Sequence, residues 1–260
     1  MQSDLDLART AALAGATVAL RYFAGLADLP QERKSDGSVV TEADRATEAA
    51  IRSVLAEARP ADAVLGEEGG ETGGGARRWI IDPIDGTAQF VSGDDRWLVL
   101  VALEEAGEIV AGVAAVPAQN RAWWARRGGG AFEGNLDGTA GRRIHVTDRP
   151  PALVGSRLGV IPVAPNLYPS DLAIAAPLSG VASQVEWDVH AALLVANGSL
   201  DVALQTRGEL WDFAATALIV AEAGGCYGGM DGIRGPRPGV SLFAADRSLW
   251  TAAHEVLWPA

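Results

Sequence analysis

The spacing of apolar and polar positions predicts two helices near the start of the chain. Between residue 4 and about residue 23, apolar side chains recur with helical spacing, and Ser3 is a typical N-cap residue in front of them. A second helical pattern follows Thr41, covers residues 42 to about 58 and stops before Pro60, which cannot continue a helix. We therefore expect the first two helices over these two segments.

Short apolar runs predict strands in the part of the chain that follows. These runs lie at residues 63–65, 79–82, 98–103, 109–115 and 122–125. Polar residues 104–108 separate two of the runs and indicate a hairpin with a loop of about five residues. Strands that follow one another in this way favour an antiparallel or mixed sheet. The glycine-rich residues 69–75 offer few side chains that could pack, and we expect a mobile loop there.

The second half of the chain alternates between helical and extended patterns. These patterns predict a helix, a strand and a second helix, at residues 191–196, 200–204 and 213–223. The last helix is expected to end at Gly224. We place a division at the polar, turn-rich segment 134–141 that precedes these elements. Residues 1–138 would form an N-terminal α+β half with an antiparallel sheet, and residues 139–260 a C-terminal α/β half.

Length and charge limit the classes of protein to which the chain can belong. A chain of 260 residues can bury a large core, as one large domain or as two packed halves. Its formal net charge of -12 argues against a nucleic-acid-binding surface, which needs clustered Lys and Arg. The same charge repels an anionic substrate unless bound cations neutralise the site.

Cysteine usage and the N-terminal residues favour a cytoplasmic protein. A single cysteine, Cys226, excludes an internal disulfide and fits a reducing compartment. The first six residues are acidic where an export signal would be basic, so we expect no such signal. The apolar segment 11–20 is much too short to span a bilayer, which takes roughly 20 residues. We expect a core helix there and no membrane partner.

The segment from Trp79 to Thr87 combines two acids with a tight turn. It reads as a buried strand that ends in Asp82 and Asp85, followed by Gly86, whose flexibility permits a sharp turn and a close approach to a ligand. Thr87 then opens a helix, and the first N–H groups of a helix have no internal partner and can bind an anion. The segment suits a metal ion and a phosphate together, or else it is only a strand-to-helix turn with a capping residue.

Other acids lie at the ends of predicted elements, and together they form a candidate metal site. These acids are Asp44, Glu67, Glu68 and Asp212. Each has a plain structural alternative. Asp44 would form a capping box with Thr41, Glu67 and Glu68 would lie in a solvated turn, and Asp212 would be an N-cap behind a buried Trp211. As a group with the two strand-end acids, they offer hard oxygen ligands without His or Cys, which is typical of magnesium rather than zinc. No Gly-x-Ser-x-Gly motif is present, so a serine hydrolase is disfavoured as well.

Taken together, these motifs resemble the signature motifs of the inositol monophosphatase superfamily, in order and in spacing, over nearly the whole chain. The matching segments are Lys34-Ser35-Asp36-Gly37 with Val40-Thr41-Glu42-Ala43-Asp44, then Gly66-Glu67-Glu68, Asp82-Pro83-Ile84-Asp85-Gly86-Thr87, and Trp211-Asp212-Phe213-Ala214-Ala215. The resemblance implies an α/β layered fold, the αβαβα sandwich of the inositol monophosphatase and sugar phosphatase type. It further implies Mg²⁺-dependent hydrolysis of a small phosphate monoester, inhibition by lithium and a homodimer.

The resemblance also assigns roles to individual residues. The first metal ion would be held by Glu67, Asp82, the carbonyl of Ile84 and Thr87, and the second by Asp82, Asp85 and Asp212, with a weaker third ion near Glu67. Asp44 and Thr87 would orient the attacking water, with Glu67 as a further catalytic residue. Backbone N–H groups of Gly86 and Thr87 would hold the phosphate, and Lys34 and Glu68 would support the site. Two Mg²⁺ ions would offset about -4 of carboxylate charge, so that the site no longer repels phosphate.

The positions that contact the alcohol part of the substrate follow no single subgroup. Residues 79–132 are most similar to histidinol-phosphate phosphatases of actinobacterial type and somewhat less similar to inositol monophosphatases. Gln205 stands where the family commonly has Glu, whereas Asp188 matches an Asp of histidinol-type members. Trp187 and His190 either form an aromatic wall beside the substrate or pack the start of a helix.

Several substrates therefore remain open. A histidinol-phosphate-like ester or a related biosynthetic metabolite is the first expectation, with inositol 1-phosphate and a nucleoside or modified-sugar monophosphate as alternatives. Gln205 gives no ion pair to an ammonium group, which weakens the histidinol interpretation. A 3′-phosphoadenosine-type nucleotidase and a non-catalytic metabolite-binding protein are further alternatives, and the sequence shows no basic cluster for a second phosphate.

Overall fold

The computed structural model describes residues 2–26, 31–33, 39–148, 152–232 and 235–259. Lys34, which the resemblance assigns a supporting role, lies outside the described residues. The helices are α1 (Asp4–Phe23), α2 (Glu42–Ala58), α3 (Thr87–Ser92), α4 (Pro169–Ser179), α5 (Ala191–Ala196), α6 (Leu210–Glu222) and α7 (Arg247–Leu257). Short 3₁₀ turns lie at Pro117–Gln119, Leu153–Gly155 and Ala164–Asn166.

The strands form a small pair and two larger sheets. They are β1 (Gln31–Arg33), β2 (Val39–Thr41), β3 (Ala63–Gly66), β4 (Gly70–Thr72), β5 (Arg77–Asp85), β6 (Leu98–Glu105), β7 (Glu108–Val116), β8 (Arg121–Arg126), β9 (Gly130–Asn135), β10 (Arg142–Ile144), β11 (Arg157–Ile161), β12 (Ser183–Gln184), β13 (Val202–Gln205), β14 (Cys226–Gly229) and β15 (Ser241–Ala244). The first large sheet has eight strands in the order β10-β9-β8-β7-β6-β5-β3-β4. The second has five strands in the order β12-β11-β13-β15-β14, and β1 pairs with β2.

The first two helices begin where the sequence predicts. The Ser3 hydroxyl accepts a hydrogen bond from the backbone N–H of Asp6 at 3.1 Å, which caps α1. Thr41 and Asp44 form a reciprocal capping box at the start of α2. Both helices therefore start at residues whose side chains satisfy the unpaired amides of the first turn.

The central strands of the eight-stranded sheet are buried on both faces, which explains their long apolar runs. Along β6, Leu98, Leu100 and Ala102 pack into one core and Val99, Val101 and Leu103 into another. The β6–β7 hairpin differs from the expectation, because Glu105 pairs with Glu108 and only Ala106 and Gly107 form the turn. Both turn residues have positive φ, 51° and 81°, so the strands continue further than a five-residue loop would allow.

The layers stack as an αβαβα sandwich, and this confirms the expected fold class. α1 and α2 pack on one face of the eight-stranded sheet, and α5 and α6 on the other. The five-stranded sheet covers the far side of α5 and α6, and α4 and α7 cover its outer face. A Cβ on Gly112 would lie 3.1 Å from the Cα of Ala215, so β7 needs glycine where α6 approaches it.

Two expectations concern the organisation of the chain rather than its elements. The glycine-rich segment 69–75 contains the short, exposed strand β4, which pairs with β3 at the sheet edge. The eight-stranded sheet extends to Ile144, six residues beyond the division placed at residue 138, because Arg142 pairs with Glu133. That division stays a prediction. Among the described residues, none of the helices is both long enough and apolar enough to cross a membrane.

Candidate metal and active site

An irregularity at the end of β5 aims two aspartates at the same place. On a regular strand, residues three apart point to opposite faces of the sheet. Here Asp82 pairs with Leu100 and Asp85 with Leu98, so β5 has one residue more than β6 over this stretch. As a result, a carboxylate oxygen from each aspartate and one from Asp212 all lie within 4.8 Å of one another. The backbone N–H of Ile84 donates to Asp82 Oδ1 at 3.1 Å and fixes that carboxylate.

Asp212 reaches this cluster from the first turn of α6. Glu209, rather than Asp212, is the N-cap of this helix, and Asp212 is its third residue. The backbone N–H of Glu209 donates to Asp212 Oδ2, which fixes the carboxylate toward the end of β5. α6 thus begins three residues earlier than expected, and Trp211 is partly buried rather than buried.

Asp44 and Thr87, which the family resemblance pairs, lie in contact beside the cluster. The Thr87 hydroxyl lies 3.3 Å from Asp44 Oδ1 and 3.1 Å from the carbonyl oxygen of Ile84, either of which can accept its proton. The other Asp44 oxygen, Oδ2, accepts hydrogen bonds from the backbone N–H and the hydroxyl of Thr41, at 2.8 and 2.7 Å. Asp44 therefore caps a helix and also contacts Thr87, so its role as a cap does not exclude the functional interpretation, which stays a prediction.

Glu67 lies in the turn between β3 and β4 and contributes to the field at Asp82. Glu48, which sequence reasoning missed, anchors this turn. Its buried carboxylate accepts hydrogen bonds from the backbone N–H groups of Glu68 and Gly69, both at 2.8 Å. Arg52 Nε donates to Glu48 Oε1 at 2.7 Å. One signal could have revealed Glu48: an acid four residues after Asp44, on the same face of α2.

Burial and mutual repulsion disfavour charge on the clustered acids. Burial first, and then repulsion from neighbouring carboxylates, raises the pKa of Asp82 well above its usual value. Burial and then repulsion from Asp212 and Glu67 raise the pKa of Asp85 well above its usual value. Burial raises the pKa of Asp212 to about 7. Because only oxygen ligands converge here, a hard divalent cation fits the set and would remove this repulsion.

These shifts predict how stability depends on pH without metal. The pKa of Asp212 is higher in the folded state than its usual 3.8, so its stabilising contribution is complete below about pH 4 and is lost as pH rises to about 7. In EDTA, we expect Asp212→Asn to melt several degrees above the unsubstituted protein at pH 8 and to match it at pH 4. Thermal melts at both pH values measure this.

Exposed Glu57 on α2 provides the control for that experiment, because Glu57→Gln removes one charge far from the cluster. With millimolar Mg²⁺ at pH 8, we expect the order to reverse and the unsubstituted protein to melt higher. An Asp212→Asn gain that is the same at both pH values would contradict the assignment of repulsion to this cluster.

Glu67, Asp85 and Asp212 line a cavity of about 640 Å³. Its further walls include Gln89, Arg96, Asn166, Tyr168, Arg207 and Trp211. Both arginines are already paired with aspartates, Arg96 with Asp94 through Nε–Oδ1 at 2.8 Å and Arg207 with Asp171. The hydrogen bond from the Arg96 guanidinium lowers the pKa of Asp94.

Of the four residues expected near the alcohol part of the substrate, two line the cavity and two do not. His190 and Gln205 line the cavity, and both are only 3% exposed. Burial lowers the pKa of His190 to about 4, so its imidazole is neutral at pH 7. Trp187 packs at the start of α5, with its indole Nε1 donating to the carbonyl of Val160 at 3.0 Å. Asp188 is exposed and is not among the residues that line the cavity, and its role in binding substrate stays a prediction.

Comparison with known proteins points to one family. The family model described as "Inositol monophosphatase family" matches residues 1–258. A histidinol-phosphatase from Streptomyces coelicolor is 39% identical over 257 residues, covering 91% of this chain and 90% of that protein. An inositol-1-monophosphatase from Rhizobium meliloti is 34% identical over 242 residues, covering 91% and 89%. The crystal structure of the extragenic suppressor protein suhB from Bartonella henselae superimposes with a TM-score of 0.84, at 28% identity and 98% coverage of both chains.

Proposed function

The chain belongs to the inositol monophosphatase family of phosphoric monoester hydrolases, and on that premise we propose that it is a Mg²⁺-dependent phosphatase of a small metabolite. One observation carries the proposal: three aspartates from two distant segments converge within 4.8 Å, beside the Asp44–Thr87 contact. Acids that are buried and repel one another are costly to keep unless a cation binds them. Such a site in a cavity is what metal-assisted hydrolysis requires.

The residues that would hold the metal ions are those assigned from the motifs. They are Glu67, Asp82, the Ile84 carbonyl, Asp85, Thr87 and Asp212. When bound, Mg²⁺ supplies positive charge that activates water and stabilises the charge on the transferred phosphoryl group. The number of ions, two or three, is part of the proposal.

Asp44 and Thr87 would handle the proton of the attacking water. Burial raises the pKa of Asp44, so its carboxylate holds a proton more readily than an exposed aspartate does. Because Thr41 occupies Asp44 Oδ2, only Oδ1 faces Thr87. Thr87 can accept a proton from water at its oxygen while it donates its own proton to Asp44. The net reaction consumes one water and yields alcohol and phosphate.

Gly86 and Thr87 would hold the phosphate through backbone N–H groups. Gly86 has φ 87°, a left-handed conformation that favours glycine, and it turns the chain sharply between β5 and α3. The first amides of α3 have no partner within the helix and are available to phosphate oxygens. Glu68 would support the site indirectly, because its negative charge contributes to the raised pKa of Asp44.

A histidinol-phosphate-like ester is the first substrate candidate, supported by the relative from Streptomyces coelicolor. The neutral amide of Gln205 favours a second class, the phosphates of uncharged alcohols such as inositol, a nucleoside or a modified sugar. We further propose lithium inhibition, a homodimer and a cytoplasmic location. The family resemblance supports the first two, and the single Cys226 supports the third.

Phosphate release from a panel of esters tests this proposal. The panel contains histidinol, inositol, sugar and nucleoside monophosphates, each with Mg²⁺, with EDTA and with Mg²⁺ plus Li⁺. We expect release that requires Mg²⁺, is suppressed by Li⁺ and is strongest for one ester. Folded protein that releases no phosphate from any ester, including p-nitrophenyl phosphate with Mn²⁺, would overturn the proposal and favour a metabolite-binding protein.

A further inference from the structure

Buried polar atoms without hydrogen bonds gather in the wall of the active-site cavity. In the described part of the chain, six buried side-chain nitrogen or oxygen atoms lack a hydrogen-bond partner. Three of them are Nδ1 and Nε2 of His190 and Oε1 of Gln205, and both residues line this cavity. Buried polar groups are normally paired, so a cluster of unpaired ones beside a catalytic centre indicates a ligand that supplies the partners.

The imidazole of His190 is fixed in place without the use of its nitrogens. Its ring meets the Trp187 indole edge-on, with ring centroids 6.1 Å apart. Trp187 is itself fixed, because its Nε1 bonds to Val160 and its carbonyl oxygen accepts a hydrogen bond from Arg96 Nη1 at 3.0 Å. Arg96 is in turn held by Asp94. The ring is therefore preorganised, and neither of its nitrogens bonds to another group in the described part of the chain.

The position of the ring places that molecule at the alcohol end of the ester. His190 Nε2 lies 3.8 Å from Asp85 Oδ2, next to the acids but outside the group that converges on the metal position. The phosphate, by contrast, is assigned to the turn at Gly86 and Thr87. A group in contact with His190 and with Gln205 therefore belongs to the remainder of the substrate.

We propose that His190 is a specificity-determining residue that, with Gln205, hydrogen bonds to hydroxyl groups on the alcohol part of the substrate. The inference rests on the proposed function. Neutral imidazole presents one donor and one acceptor, and Gln205 Oε1 needs a donor. A hydroxyl both donates and accepts, so an alcohol with hydroxyls next to the ester carbon satisfies all three atoms. A bare hydrocarbon would leave them unpaired, and leaving a buried polar group unpaired costs more than a hydrogen bond gains.

A matched pair of esters tests this: glycerol 2-phosphate, which has two flanking hydroxyls, and isopropyl phosphate, which has the same carbon skeleton without them. We expect the unsubstituted protein to prefer glycerol 2-phosphate. In His190→Leu, we expect kcat/KM to fall about 10- to 100-fold on glycerol 2-phosphate and by less than about 3-fold on isopropyl phosphate. His190→Gln, which restores one donor and one acceptor, should recover most of the loss, and Gln205→Leu should show the same ester dependence.

Two controls distinguish substrate contact from a structural role. His145→Leu removes an exposed histidine outside the cavity and should change neither ester. The Mg²⁺ concentration for half-maximal activity should be the same in His190→Leu, because His190 is not assigned to the metal ions. If His190→Leu fails to fold, the Gln205→Leu data decide.

Equal losses on both esters, or no preference for glycerol 2-phosphate in the unsubstituted protein, would overturn the inference while leaving the phosphatase assignment intact. Absence of Mg²⁺-dependent release from every ester, p-nitrophenyl phosphate included, would instead overturn the proposed function, and this inference with it. The two failures are therefore distinguishable.

Discussion

Asp85→Asn is expected to lower kcat by at least about 10³-fold at saturating Mg²⁺, because a neutral amide is a poor substitute for a carboxylate on a hard cation. The fold should survive. His190 Nε2 lies 3.8 Å from Asp85 Oδ2, which is too far for a hydrogen bond, so the substitution breaks no such bond to this imidazole. Removing the charge of Asp85 also relieves repulsion from Asp212 and Glu67. Steady-state kinetics across a Mg²⁺ titration, together with a thermal melt, measure both effects.

Asp95→Asn is the matched control for this substitution. Asp95 is an exposed aspartate ten residues further along the chain and does not line the cavity. Its replacement should leave kcat and the Mg²⁺ requirement unchanged. Asp85→Asn with near-normal turnover would refute the assignment of Asp85 to a metal ion, whatever the substrate proves to be.

Thr87→Val is expected to lower kcat by about 10²- to 10⁴-fold with little change in KM, because the hydroxyl that would pass a proton to Asp44 is lost while the side-chain volume is kept. The backbone N–H of residue 87 remains, so phosphate binding should persist. Asp44→Asn should cause a loss of similar size. Since the two residues act as one unit, the double variant should be little worse than either single one. Rapid-quench phosphate release measures the chemical step directly.

Thr251→Val controls for the general effect of this exchange, since Thr251 is an exposed helical threonine remote from the cavity. Fully additive losses in the double variant would show that Asp44 and Thr87 act independently. In that case the proton relay from Thr87 to Asp44 would be refuted. Unchanged kcat in Asp44→Asn, by contrast, would limit Asp44 to capping α2, the structural alternative that the sequence leaves open.

Local patterns were enough to predict many elements of the fold. The caps at Ser3 and Thr41 are short-range signals, and both helices start there. The length of the β6–β7 turn was not predictable in the same way. Ala106 adopts a positive φ that non-glycine residues seldom take, and strand pairing over a long sheet stabilises the tighter turn. The αβαβα layering came from the family resemblance and not from periodicity, and the position of α6 between two sheets was not predicted.

In the candidate site, too, local features could be predicted from the sequence and long-range contacts could not. The acids at the ends of elements are visible in sequence because strand ends and first turns are local features. By contrast, Glu48 and Arg96 contact groups 20 and 91 residues away, respectively. Contacts of that kind depend on how whole elements pack. The four-residue spacing from Asp44 can mark Glu48 as a candidate, but it does not predict which distant groups Glu48 contacts. The unpaired nitrogens of His190 could not be predicted from the sequence either, because their lack of a hydrogen-bond partner among the described residues depends on how the surrounding elements pack.

The placement of two site-forming acids on helix α2 limits how this enzyme can be redesigned. Asp44 and Glu48 lie one turn apart on α2, so this one helix positions the proposed proton acceptor and also holds the turn that bears Glu67. A substitution that tilts the helix would displace both of these parts of the proposed site at once. The cavity wall beyond the acids comes from separate segments, including Asn166, His190 and Gln205. Libraries that vary this wall and leave α2 untouched should therefore retarget the enzyme to new alcohols without dismantling the hydrolytic machinery.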